Sequence, residues 1–177
     1  MATCLFLLVA VVLAFAGGAG PWITIATVVI ATVAGTRLPD LDIPLGFRHR
    51  SALLHGVLPP LLALLDRRTW PVAAGLGFGI GLHLAADMFP REMRGYATIK
   101  LPLLGSIGVL PSYLWIAANA AATLIGGAMV LGQIADRQAA AATMAAVGVV
   151  GFLYLLRADG GWYALAVFAM LGWLMLG

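Results

Sequence analysis

Residues 70–90 read Trp70-Pro71-Val72-Ala73-Ala74-Gly75-Leu76-Gly77-Phe78-Gly79-Ile80-Gly81-Leu82-His83-Leu84-Ala85-Ala86-Asp87-Met88-Phe89-Pro90. Only His83 and Asp87 in this stretch are ionisable, and its length suits the roughly 20 apolar residues that cross a bilayer as a helix. It predicts a helix from Trp70 to Phe89. Gly75 with Gly79, and Gly77 with Gly81, form overlapping Gly-x-x-x-Gly pairs that let neighbouring backbones approach closely. His83 and Asp87 are four residues apart, hence on one helical face, where an imidazole and a carboxylate can be offered to one ion. Ionisable groups inside a bilayer are costly, so pairing, ligation or catalysis explains them better than chance.

The rest of the chain has the same character. Of 177 residues, 63% are hydrophobic and 10% charged, with a mean hydropathy of +1.04, far from an ordinary soluble domain. Residues 1–36, 101–135, 138–156 and 160–177 carry no charged side chain. The composition predicts an all-α integral membrane protein, a single transmembrane domain over residues 1–177 built as a bundle of about five to seven helices. A polar site is expected at one membrane face. A single cysteine, Cys4, excludes a disulfide framework and a thiolate metal cluster. The net charge of +3 comes from basic residues scattered at helix edges, which suits membrane lipid as partner and not nucleic acid.

Helices are expected at about 4–19, 22–35, 51–65 (kinked at Pro59 and Pro60), 70–89, 112–135, 139–156 and 162–176. The segment 96–110, with Pro102, Gly105 and Gly108, reads as interfacial or re-entrant. The first helix resembles a signal-peptide core, but Met1–Leu8 lacks a basic flank. With a cytoplasmic N-terminus, one face holds Arg37, Arg48, Arg50, Arg91, Arg94, Lys100 and Arg157, and the other Arg67, Arg68 and Arg137. Seven against three sets that orientation by the positive-inside rule. Whatever the orientation, the third and fourth helices are antiparallel neighbours joined by the short Asp66–Thr69 turn, which brings His55 and His83 toward the same side. The C-terminal helices, 112–177, are nearly silent on chemistry: Gly126, Gly127, Gly148 and Gly151 read as packing residues, and Trp115, Trp162, Tyr163 and Trp173 as interface anchors, with core packing the alternative.

All three histidines fall in two polar windows within 37–100, the candidate metal-site region. Asp40 and Asp42 lie between Pro39 and Pro44, where the chain departs from regular helix and can turn carboxylates back toward the helix ends. His49 reads as a loop residue and His55 as part of the first turns of the third helix.

Three blocks in order resemble the YdjM-like family of predicted inner-membrane metal-dependent hydrolases: Leu38-Pro39-Asp40-Leu41-Asp42, His49-Arg50-Ser51-Ala52-Leu53-Leu54-His55, and Gly81-Leu82-His83-Leu84-Ala85-Ala86-Asp87-Met88-Phe89-Pro90. They cover under a third of the chain. The chain has Ile43 where the family often has a histidine, and Leu54-His55-Gly56 in place of Thr-His-Ser. The resemblance implies a multi-pass protein of the bacterial inner membrane with Asp40, Asp42, His49, His55, His83 and Asp87 as metal-site candidates. Imidazoles mixed with carboxylates suit zinc, manganese or iron, with zinc or manganese the expected ion. Such an ion would activate water for attack on a phosphoryl or acyl centre. Asp42, if not a ligand, is the expected general base, and Arg50, Arg91 and Arg94 are expected to hold an anionic headgroup.

The opposing expectation is a non-catalytic membrane protein, an ion carrier or a scaffold, whose His and Asp residues form an internal polar cluster. In it Asp87 would pair with Arg91 and Asp40 with Arg37. A carrier should also place polar groups deep in several helices, and the last three offer only Asn119, Thr123, Gln133 and Thr143. An oligomer or a partner membrane protein stays open.

Overall fold

The computed structural model describes residues 1–16 and 20–176. The expected end of the first helix near residue 19 lies outside the described residues. Seven α-helices follow in order among them: α1 Ala2–Phe15, α2 Gly20–Gly35, α3 Leu58–Ala63, α4 Trp70–Asp87, α5 Val109–Ile134, α6 Arg137–Leu155 and α7 Gly161–Leu176. Three apolar stretches, Arg67–Asp87 (containing α4), α5 and α6, are long and apolar enough to cross a membrane, and α1, α2 and α7 are shorter apolar helices.

Helix α4 is the axis of the molecule. Every residue from Val72 to Leu84 is buried, and α4 packs against α2 on one side and α5 on the other. The glycines explain the arrangement. Residues four apart share a helical face, and residues two apart point in nearly opposite directions. A Cβ on Gly75 or Gly79 would run into α2, at the carbonyl oxygens of Val28 and Thr32, whereas one on Gly77 or Gly81 would meet Thr123 or Leu124 of α5. Gly35 answers from α2, where an added Cβ would lie 3.0 Å from Gly79 Cα. The outer helices α5 and α6 instead turn large apolar side chains outward, among them Leu114, Ile125, Met129, Val149 and Phe152. Gly127 and Gly151 face packed neighbours as expected, but Gly126 and Gly148 face open space.

The largest departure from expectation is the third helix. Residues 51–57 form turns, and α3 begins only at Leu58, with proline in its first turn. Proline suits the first turn because its missing N–H has no helical partner there, so Pro59 and Pro60 start this helix and do not kink a longer one. Its N-terminal arm borrows partners from α5: Val57 N–H donates to Asn119 Oδ1 at 3.0 Å, and Trp115 Nε1 donates to the His55 carbonyl at 2.8 Å. Trp115 therefore ties the broken segment to α5. His55 sits in the turns, not in α3.

The 96–110 segment is not a span. It holds a short antiparallel hairpin, β1 Lys100–Leu101 with β2 Gly105–Ser106, and Ser51 bridges to Lys100 beside it. Lys100 N–H donates to the Arg50 carbonyl at 2.9 Å, and Ala52 N–H to that of Lys100 at 2.9 Å. Arg50 takes a left-handed conformation there, φ +57°, which turns its side chain inward.

Candidate metal centre

Three side chains converge where the 51–57 turns meet the end of α4. One ligating atom each from His55, His83 and Asp87 lies within 4.8 Å of the other two. His55 Nε2 is 3.7 Å and His83 Nε2 3.5 Å from Asp87 Oδ2. Both imidazoles are almost fully buried, at 1% and 6% exposure.

Each histidine is held on its far nitrogen. His83 Nδ1 lies 3.0 Å from the Thr36 carbonyl and 3.1 Å from Tyr154 Oη. A carbonyl only accepts, so Nδ1 carries the hydrogen, and in the neutral ring Nε2 presents a lone pair toward Asp87. His55 Nδ1 is 3.2 Å from Asp42 Oδ2, a carboxylate that also accepts from Ser51 N–H at 2.8 Å. No hydrogen bond forms at that nitrogen in this geometry, but the adjacent carboxylate favours a hydrogen on Nδ1. Imidazole backed by a carboxylate or a carbonyl is the usual support of a metal-binding histidine.

Asp87 completes the set. Its Oδ1 accepts from Arg50 Nη2 at 2.7 Å, while its Oδ2, facing both imidazoles, is buried without a hydrogen-bond partner. Buried polar atoms are rarely left unpaired. Two neutral imidazoles and one carboxylate oxygen aimed at one point repel one another unless a positive charge lies between them, either a metal ion or a proton on one Nε2. Ligand bonds near about 2.1 Å around tetrahedral zinc separate the ligand atoms by roughly 3.4 Å, close to the two carboxylate–imidazole spacings. The residues fit a metal ion.

The remaining expected site residues are distributed differently. Asp40 stays on the open side, its side chain 61% exposed and its Oδ1 3.9 Å from His83 Nε2. Asp42, expected as general base, is wholly buried behind His55 and has no path to the open side. His49, expected as a ligand, stands outside the group and stacks on Tyr96 with ring centroids 4.0 Å apart. Partial burial, and then the Arg50 guanidinium beside it, lower the pKa of His49 below its usual value. Arg50, expected to bind substrate, is buried and occupied by Asp87 and by the Ala97 carbonyl at 2.5 Å. Asp87 thus pairs with Arg50 across the fold and not with Arg91. Arg91 and Arg94 are exposed.

A cavity of about 780 Å³ opens against His83, Asp87 and Asp40, with Arg37, Tyr154 and Arg157 on its walls. Arg37 and Arg157 had no place in the expected site, because one belongs to the end of α2 and the other to the end of α6. Gly160, at φ +76°, lets the α6–α7 turn press on the end of α4, where a Cβ would meet Phe89 O at 2.6 Å. That contact brings Arg157 to the cavity. Comparison with models of known protein families, with curated proteins and with solved structures finds no match.

Proposed function

We propose that this protein is a metal-dependent hydrolase of the bacterial inner membrane, acting on a lipid or lipid-linked phosphoester at the cytoplasmic face. The observation that carries the reading is the buried, unpartnered Asp87 Oδ2 set between two imidazole Nε2 atoms at the wall of an open cavity. A closed structural site would surround the ion with protein ligands, whereas a catalytic one keeps a side for water and substrate. The membrane setting draws on the apolar helices and their outward-facing side chains. The cytoplasmic placement draws on the seven-to-three excess of basic residues at the site end. The resemblance to YdjM-like proteins in the three motif blocks points the same way.

In this reading His55 Nε2, His83 Nε2 and Asp87 Oδ2 would hold zinc or manganese. A bound divalent ion supplies Lewis-acid polarisation of a phosphoryl oxygen and eases deprotonation of water. Arg50 fixes Asp87, and Asp42 and the Thr36 carbonyl fix the two imidazoles. Asp40, the exposed carboxylate nearest the site, takes the general-base role in place of Asp42. It accepts a proton from the water whose oxygen attacks phosphorus, and returns it to the alcohol released when the phosphorus–oxygen ester bond breaks.

The test is cleavage of phosphatidic acid and of a lipid diphosphate by the purified protein in detergent, before and after chelation. Cleavage should vanish on chelation, return with zinc or manganese, and be abolished in His83→Ala and Asp87→Ala variants that remain folded. Full activity in either variant, or no cleavage by metal-loaded wild type across lipid phosphoesters, contradicts the hydrolase reading.

A further inference from the structure

The cavity beside the metal centre is polar at its rim and apolar along its walls, and the sequence spacing ties the two together. Val33 precedes Arg37 by four residues, while Leu153 and Val150 precede Arg157 by four and seven. Residues at these spacings share one helical face, and all five line the same cavity, with Phe6 of α1 completing the apolar wall. Each arginine stands just past the end of its helix, above an apolar stripe that runs back along the helix and stays partly open to the outside at Leu153 and Phe6. Among the described residues neither Arg37 nor Arg157 forms an ion pair or a side-chain hydrogen bond, and both side chains are exposed. By contrast Arg50, the buried arginine of this end, is fully committed to Asp87 and the Ala97 carbonyl.

We infer that Arg37 and Arg157 clamp the phosphoryl headgroup of a single lipid whose acyl chain lies along Phe6, Val33, Val150 and Leu153, with the scissile group beside His83 and Asp87. Guanidinium forks match phosphate oxygens two at a time; these two offset the Asp40 and Asp159 carboxylates that line the same cavity, and the ion held beside Asp87 would supply the remaining positive charge that a phosphomonoester headgroup needs. The volume of about 780 Å³ falls within the range of roughly 300–1,000 Å³ of ligand sites. The apolar wall distinguishes a lipid from a soluble phosphate, because only a lipid gains from covering it. This inference rests on the proposed hydrolase for its substrate, but the binding itself can be measured without turnover.

The experiment titrates purified, detergent-solubilised protein with dioleoylphosphatidic acid and with glycerol 3-phosphate, reading bound ligand by native mass spectrometry and metal content on the same samples. The Arg37→Ala/Arg157→Ala double variant should bind the lipid at least about tenfold more weakly, with metal content unchanged. Val150→Trp, which fills the apolar wall, should weaken the lipid and leave glycerol 3-phosphate as it was. Glycerol 3-phosphate binding wild type as tightly as the lipid overturns the lipid assignment. Unchanged lipid binding in the double variant, or an equal loss in Arg91→Ala/Arg94→Ala, overturns the clamp. If wild type cleaves nothing yet binds the lipid through these two arginines, the hydrolase fails and the lipid site stands. If it cleaves with metal bound and the double variant binds as wild type, the lipid site fails alone.

Discussion

The two ends of the helix bundle carry similar raw material and use it differently. A cavity of about 800 Å³ at the far end is lined by Arg67, Arg68 and Asp136, and one of about 780 Å³ at the near end by Arg37, Arg157, Asp40 and Asp87. At the far end the charged groups have local work. Asp66 caps the Arg67–Thr69 turn through Arg68 N–H at 2.9 Å, and Asp136 caps α6 through Ala139 N–H at 2.8 Å. Arg67 lies over the Trp70 ring and Arg68 over that of Phe15. At the near end Asp42 Oδ1 and Asp87 Oδ2 are buried without a hydrogen-bond partner, and His55 Nδ1 has only the Asp42 carboxylate beside it, at 3.2 Å. Cavity size and a lining of both signs are therefore shared, the near end also carrying Asp159, and unsatisfied polar atoms mark the site.

Paired substitutions at the two ends sharpen this contrast. The largest effect is expected from Arg50→Ala, which leaves the Asp87 carboxylate without its guanidinium in a buried setting. It should cost about 3 kcal/mol by thermal or denaturant unfolding in detergent, whereas Arg68→Ala at the far end should stay within about 0.5 kcal/mol. Equal losses would erase the distinction between the ends. Next is Gly79→Ala, whose Cβ would meet Gly35 Cα at 2.7 Å and push α2 away from α4. Roughly 1–3 kcal/mol should be lost, with weaker metal binding as the Thr36 carbonyl leaves His83; Gly126→Ala, facing open space, is the neutral control.

Asp42→Asn keeps an acceptor for Ser51 N–H but removes the charge behind His55. Metal affinity, measured by competition with a chelating dye, should fall roughly 10- to 100-fold, and an unchanged affinity would detach Asp42 from the centre. The smallest effect belongs to Asp136→Ala, the lost cap of α6, at about 1 kcal/mol of stability. Metal affinity should not move; if it does, the ends are coupled.

Much of this fold is legible because its signals are local. Long apolar runs locate the helices, and the four-residue spacing of His83 and Asp87 places them on one face near the end of α4. The conformation of 51–57 is not legible, since its backbone is satisfied by Asn119 and Trp115 more than 60 residues away. The roles of Asp40 and Asp42 are likewise indistinguishable in sequence. They are set by which carboxylate the short 3-10 turn Pro39–Asp42 buries behind His55. Arg50 reads as a loop cation until the bridge between Ser51 and Lys100 turns it inward. Arg37 and Arg157 become neighbours only through the packing of α2 and α6 around α4. Nothing in the sequence around Gly160 names what its turn presses against.

The most direct test of the metal centre is elemental analysis of the purified protein beside its Asp87→Asn variant, which keeps an acceptor for Arg50 and removes the charge on the unpartnered oxygen. Wild type should carry about one equivalent of zinc or manganese per chain after dialysis, and the variant essentially none, because the carboxylate is one of three protein ligands. A wild type that retains no divalent metal when metal is supplied, or a variant that retains as much as wild type, would contradict the account.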